Sequence, residues 1–494
     1  MTAPPPTSPF PRHGQAERAP AVVPRSRALV QYALLAGPLL SMLDSSIVNV
    51  AVEPISRELH AGLAVVQWTV SGYLLALGAG LAGTAYLARR FGTRPVYRAS
   101  IIAFTAASAL CALAPQAGVL VGARALQGLV AAPLVPLAMS MLLGGGRDPG
   151  DQDSGHQGAG RGRGAKGITP LAGVLLFLGP ALGPTVGGAL IAAAGWRAIF
   201  LVNVPAGLLA AVAVRAIPAA LAPERQPGTQ FDLPGLILLA AALTGLLLGA
   251  SQGGSAGWSA PACWLPLAAG ATLTAGYAAW AAHREQPVLD LTLARRRGPV
   301  LAMALCALAS VVTWAAVFLL PVFVQSGQGR SALAAGLALA PQGLITGLST
   351  ALAPRWLARL TVRVTVLAGF AVLAVASLGL LLITAATPLW LIAVILAVRS
   401  VSIGLVINPL LQALLQPLRP DQLGDASTLF NTWQRIAGSF GIGLVATLYA
   451  TQARTGGPVA ALHAAGLVLV VIAAAGALGS LALPAIRNAL SADR

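Results

Sequence analysis

The chain has 494 residues, of which 57% are hydrophobic and only 9% charged, and its mean hydropathy is +0.79. An ordinary soluble domain is about one quarter charged and a disordered chain is poor in apolar residues, so both descriptions are excluded. The 31 basic residues against 14 acidic ones give a formal charge of +17, which in a soluble protein would suggest a nucleic-acid partner, so the placement of those charges has to settle their meaning.

In chain order, residues 1–27 are Pro-rich and carry Arg12, Arg18, Arg25 and Arg27. They read as a retained cytoplasmic tail, because the apolar stretch behind them is too long for a signal-peptide core. A membrane-spanning helix needs about 20 mostly apolar residues. Breaking the remainder at charges and Gly/Pro clusters predicts about fourteen such helices. They cover 28–51, 64–87, 97–115, 118–143, 168–193, 198–217, 233–251, 263–282, 299–325, 332–353, 364–385, 388–413, 427–450 and 463–486. The connector 144–167 is rich in Gly and Arg and reads as a solvated loop rather than an RNA-binding tract.

Orientation follows from the basic residues. With the N-terminus inside, only Arg57, Arg197, Arg330 and Arg454 fall outside, and Arg124, Arg399 and Arg435 fall within spans. Every other Arg, together with the single Lys166, lies on the cytoplasmic face, which supports an even span count with both termini inside. The excess charge is therefore topogenic, and no nucleic-acid partner is expected. Near-absence of Lys beside abundant Arg, Ala and Gly is what a GC-rich genome encodes.

An internal repeat sets the organisation. Arg124-Ala-Leu-Gln-Gly-Leu running to Pro133 resembles Arg399-Ser-Val-Ser-Ile-Gly-Leu running to Pro409, in the fourth and twelfth predicted spans. If these are equivalent, spans 1–6 correspond to spans 9–14 and spans 7–8 are an insertion. The expected fold is all-α and integral to the membrane: two pseudo-symmetric six-helix bundles, 28–217 and 299–486, with an inserted helix pair at 233–282. Parallel halves with a site at their interface are a secondary-transporter architecture.

Of the acidic residues only Asp44 lies well inside a span. An ionisable group at that depth is expensive and marks function by default. Asp44 is about 16 residues into an outward-running helix and Arg124 about 6 into an inward-running one, so both sit roughly 10 Å below the outer surface. A pair on the first and fourth helices follows, in which burial disfavours and the guanidinium favours the carboxylate charge. Arg435 is expected to snorkel toward the cytoplasmic interface. Polar candidates for lining a cavity are Asn49, Gln67, Tyr73, Gln342, Asn408 and Asn431, with Arg399. The histidines (His13, His60, His156, His283, His463) lie in tails, loops or span ends, so no intramembrane metal site is expected. Lys166 lacks the Gly-Lys-Ser/Thr context of a P-loop, so energy is expected from an ion gradient rather than ATP. Cys111, Cys263 and Cys306 have no metal-ligand or disulfide spacing.

These residues resemble the major facilitator superfamily, and within it the fourteen-span drug:proton antiporter branch, from about residue 28 to 486. LDSSIVNVAVEPI (Leu43 to Ile55) is similar to that branch's first-helix signature, with its acid on Asp44 and with Asn49 and Pro54 matching. RALQGLVAAP matches motif B, placing the membrane-embedded arginine on Arg124. Gly179, Gly183-Pro184 and Gly187-Gly188 match the end of antiporter motif C. WRAIFLVNVPAG (Trp196 to Gly207), FDLPGL (Phe231 to Leu236) and the run ending at Gln325 resemble the sixth, seventh and ninth spans.

The resemblance implies a plasma-membrane, multi-pass, monomeric exporter that exchanges lipophilic or cationic drugs and antibiotics for protons by alternating access. It implies no catalytic residue, no metal and no cofactor beyond the proton gradient. Asp44 would carry the proton, Arg124 would tune it, the motif C helix would shape the occluding interface, and Arg90, Gly92 and Arg94 would form the cytoplasmic gating loop. Departures fall in motif A, where Ala85, Arg89 and Thr93 replace the usual Gly, Asp and Arg, and in motif C, where Pro170 stands for a Gly. Gln434-Arg435 reverses the family's usual order. A metabolite facilitator or importer, and a non-transporting membrane scaffold, are the alternative readings.

Overall fold

The computed structural model describes residues 24–144, 170–218, 232–256, 260–284, 297–416, 418 and 423–483. Most of the predicted tail and connector lies outside the described residues. Among those residues every regular element is a helix, and ten stretches are long and apolar enough to cross a membrane. Shorter apolar helices occupy Leu182–Ala194 and Leu233–Gly249.

The first ten helices are α1 (Pro24–Ile47), α2 (Val52–Glu58), α3 (Leu63–Val66), α4 (Trp68–Phe91), α5 (Thr93–Ala112), α6 (Ala117–Ala131), α7 (Leu134–Gly144), α8 (Pro170–Ala194), α9 (Ala198–Leu201) and α10 (Asn203–Ala213). There follow α11 (Leu233–Ala256), α12 (Pro261–Ala281), α13 (Arg297–Ser326), α14 (Ala332–Arg359), α15 (Val362–Gly379), α16 (Leu389–Leu415) and α17 (Leu423–Ser480). Breaks have local causes. Pro133 separates α6 from α7, its ring leaving no N–H to continue the helix ladder. Gly92, between α4 and α5, has φ +92°, a conformation that a side chain resists. α17 is two helices met at Gly457 (φ +80°) and Pro458, a stop followed by a start. Side-chain oxygens of Ser331 and Thr361 cap α14 and α15 by accepting from Ala334 N–H and Val364 N–H.

α1 lies against α7, α8 and α10, while α4 lies against α6 and α17. α8 runs between α1 and α14, joining the first helices to the last, and α13 is flanked by α16 and α17. α11 and α12 pair with each other, and α11 reaches α4 and α17. Leu75, Leu239, Leu243, Leu247, Tyr277, Ala281 and Ile436 form the separate apolar cluster that fixes this pair in place. Lipid tails are as apolar as Leu, so the close fit between helices depends on small residues and polar contacts rather than on expulsion of water.

Candidate functional site: a buried charge cluster and the helix crossing beside it

Five helices meet at Asp44, which is wholly buried, as are Arg124 and Gln127. Arg124 Nη1 lies 2.5 Å from Asp44 Oδ2 and also donates to Gln127 Oε1 at 2.6 Å. The Nε of Arg124 donates to the Thr69 carbonyl on α4 at 2.9 Å. Asp44 Oδ1 accepts from Asn203 Nδ2 on α10 at 2.7 Å and from Gln127 Nε2 at 3.2 Å. Gln127 Nε2 reaches Ser108 Oγ on α5 at 2.7 Å. The guanidinium lies over the Tyr73 ring, 4.1 Å from its centroid, and 5.6 Å from that of Phe200. A buried ion pair repays its desolvation only when further hydrogen bonds satisfy both partners, and here both are so served.

The structure thus places Asp44 and Arg124 in contact and adds partners that sequence reasoning did not assign to them. Asn203 is the clearest, a polar residue opening an otherwise apolar helix just before Pro205. Gln127, three residues from Arg124, shares its helix face.

The motif C residues sit at a crossing. A Cβ on Gly188 would come within 2.6 Å of the Ala332 carbonyl oxygen and 2.7 Å of Leu333 Cα on α14. One on Gly183 would strike Ser46 of α1, and one on Gly187 would come within 2.9 Å of Ile47. Thr185 Oγ1 donates to the Gly336 carbonyl at 3.2 Å. α8 is therefore held backbone to backbone between α1 and α14; Gly179 falls on the same helix.

Arg94 and Gly92 close the α4–α5 turn. Arg94 Nη2 donates to the Arg215 carbonyl at 2.9 Å, and Arg90 lies 5.8 Å from the Phe91 ring centroid. Of the cavity candidates, Asn49, Gln67 and Tyr73 are buried, and Tyr73 Oη shares a hydrogen bond with Ser41 Oγ at 3.2 Å. Asn49 Oδ1, Gln67 Oε1 and Gln342 Oε1 are buried without a hydrogen-bond partner. Asn408 is half-buried, and Asn431 is exposed and donates to Ser427 O, so these candidates are not gathered at one level of burial. Arg399, buried on α16, donates to the Val312 carbonyl on α13. The expected snorkelling of Arg435 is corrected: its guanidinium stacks on the Trp314 ring, 5.3 Å from the centroid, because α17 and α13 pack side by side.

An all-helical membrane protein with a charge cluster under a small-residue helix crossing belongs to the class of polytopic transporters. The family model of the Major Facilitator Superfamily matches residues 34–144 and 171–442, and the chain belongs to that superfamily, a multi-pass plasma-membrane family, and to its drug-efflux branch. The chain is similar to the multidrug resistance protein B homolog of Mycobacterium tuberculosis, 32% identical over 84% of this chain and 74% of that protein. It is also similar to the methylenomycin A resistance protein of Streptomyces coelicolor, 30% identical over 83% of each. The cephamycin export protein of Amycolatopsis lactamdurans is 32% identical over 83% of this chain and 82% of its own.

Proposed function

We propose that the protein exports lipophilic, drug-like compounds, antibiotics among them, from the cytoplasm by alternating access, driven by protons moving inward. In this reading about fourteen spans cross the bilayer. α6 with α7 and α9 with α10 each make one, α17 makes two, and both termini lie inside. The bundles 28–217 and 299–486 rock about their interface, with the pair 233–282 alongside, in a monomer.

The observation that carries the reading is the saturation of Asp44. Its carboxylate draws Arg124, Gln127 and Asn203 together, and charge-assisted hydrogen bonds of this kind are about twice as strong as neutral ones. A proton on Asp44 removes the charge that organises them. Arg124 then keeps the Thr69 carbonyl, Gln127 and the Tyr73 face, so α1 loosens from α6 and α10 while α4 and α6 stay joined. Proton occupancy is thereby converted into helix packing. The relatives, named as resistance and export proteins, support the direction and the substrate class.

The test is expression in a drug-sensitive host against a panel of toxic compounds, followed by substrate-induced proton movement in everted vesicles. The expected outcome is raised resistance and proton release for the wild type, with both abolished in Asp44→Asn at equal protein level. Full proton-coupled efflux by Asp44→Asn would overturn the assignment.

A further inference from the structure

In the repeat expected from the sequence Arg399 corresponds to Arg124, and the two reach α13 and α1 respectively. Arg124 finds a carboxylate on α1; Arg399 finds only the backbone carbonyl of Val312 on α13. The residue is 3% exposed, and its Nε is buried without any partner. The two buried carboxylates among the described residues are committed elsewhere. Asp44 is saturated as above, and Asp232 Oδ1 accepts from Gly235 N–H at 2.9 Å and Trp280 Nε1 at 2.8 Å. Neither pairs with Arg399.

A second guanidinium meets the same helix from its other side. Arg435 lies over Trp314, two residues beyond Val312, which is about 3 Å along the α13 axis. An aromatic face softens a cation's desolvation but does not neutralise its charge. Among the described residues, Arg124 is thus paired with a carboxylate, whereas α13 is flanked by two positive groups without a counter-ion. Arginine's fork matches a carboxylate, and a group so buried and so incompletely bonded gains most from an anion that completes it.

We propose that Arg399 is the docking site for the anionic group, a carboxylate in the first instance, of the transported compound, with Arg435 adding to the positive potential. The inference rests on the efflux reading above and narrows its substrates to lipophilic acids over lipophilic cations.

The full chain in phosphatidylcholine nanodiscs is titrated with dansyl-labelled undecanoate, its methyl ester and the trimethylammonium analogue of the same chain length. Expected is a preference for the carboxylate of at least about tenfold over both others, since only it pairs with the fork. Arg399→Gln erases the preference while ester binding persists, which also shows that the variant is folded. Arg399→Lys keeps a reduced preference; it serves as the deciding variant if Arg399→Gln binds no ester. Equal binding of the three probes by the wild type overturns the proposal, as does a preference unchanged in the variants. So does loss of the preference when phosphatidylglycerol replaces the neutral lipid, which would give the site to a lipid headgroup. Vesicle transport of the ester separates the two readings. Asp44-dependent ester export without an Arg399-dependent carboxylate preference sinks the anion site alone, and carboxylate binding through Arg399 without transport of any probe sinks the efflux reading alone.

Discussion

Arg124 serves three acceptors, the Thr69 carbonyl through Nε and the side chains of Gln127 and Asp44 through Nη1, with the Tyr73 ring against its face. A lysine carries the same charge but presents a point donor without the fork, so the exchange is not conservative here. Arg124→Lys is expected to leave a folded protein whose efflux falls on the order of tenfold, measured as drug accumulation at matched membrane abundance. Arg124→Ala strands a buried carboxylate at a cost of roughly 3–5 kcal/mol and should show as loss of folded protein in a detergent thermal-unfolding assay. Asp44 and Arg124 were legible in the sequence because an ionisable side chain in an apolar run is too costly to be incidental. Asn203 was not, because a neutral amide in a span is cheap enough to be commonplace and its target is set by how α10 lies on α1. Arg435 was misread for a related reason. Snorkelling is inferred from position along one helix, whereas its actual partner, Trp314, belongs to another.

At the scale of the helix, α8 shows what its glycines do. Without side chains at Gly183, Gly187 and Gly188 its backbone approaches α1 on one side and α14 on the other. Adding a leucine at Gly188 forces those backbones apart, an overpacking that costs about 1–3 kcal/mol. Gly188→Leu is expected to abolish efflux while the protein still reaches the membrane, whereas Gly118→Leu, on α6 with open space around it, should transport normally. Equal activity of the two variants would remove the crossing from the mechanism. The helices were largely readable because apolar run length and bilayer thickness are tied together. The exceptions are instructive: α12 is long enough to cross but less apolar than the ten, since Gly, Thr, Pro and Trp dilute its apolar residues. The split between α9 and α10 has no charge or Gly/Pro cluster to announce it.

Over the whole molecule, the N-terminal helices touch α13 and α14 beyond the charge cluster, toward the end bearing Val50, Gly188 and Ala332. Gln325 Nε2 on α13 donates to the Val50 carbonyl at 3.1 Å, and α8 meets α14 as described. Under the proposed orientation this is the outer end, and these contacts seal it. Val50 lies six residues beyond Asp44, about 9 Å at helical rise, so release of α1 at the cluster acts close to the seal. Inward proton flow against outward drug flow requires the protonated form to return with the outer end shut, so a neutral group at Asp44, which frees α1 from α6 and α10, should leave α1 on α8 and α13 and hold the closure. Arg57 and Arg330 line one recess there, on opposite sides of the seal, and both are exposed. The Arg57–Glu53 pair that labelling would remove is a surface pair of little worth. The native cysteines Cys111, Cys263 and Cys306 are buried, so spin labels can be confined to Arg57→Cys and Arg330→Cys. Pulsed dipolar spectroscopy should find a single short distance in Asp44→Asn and a longer, added population with Asp44 intact. Identical distributions would mean that the charge at Asp44 does not set the state of the outer end, and the coupling would have to run through the crossing of α8 instead.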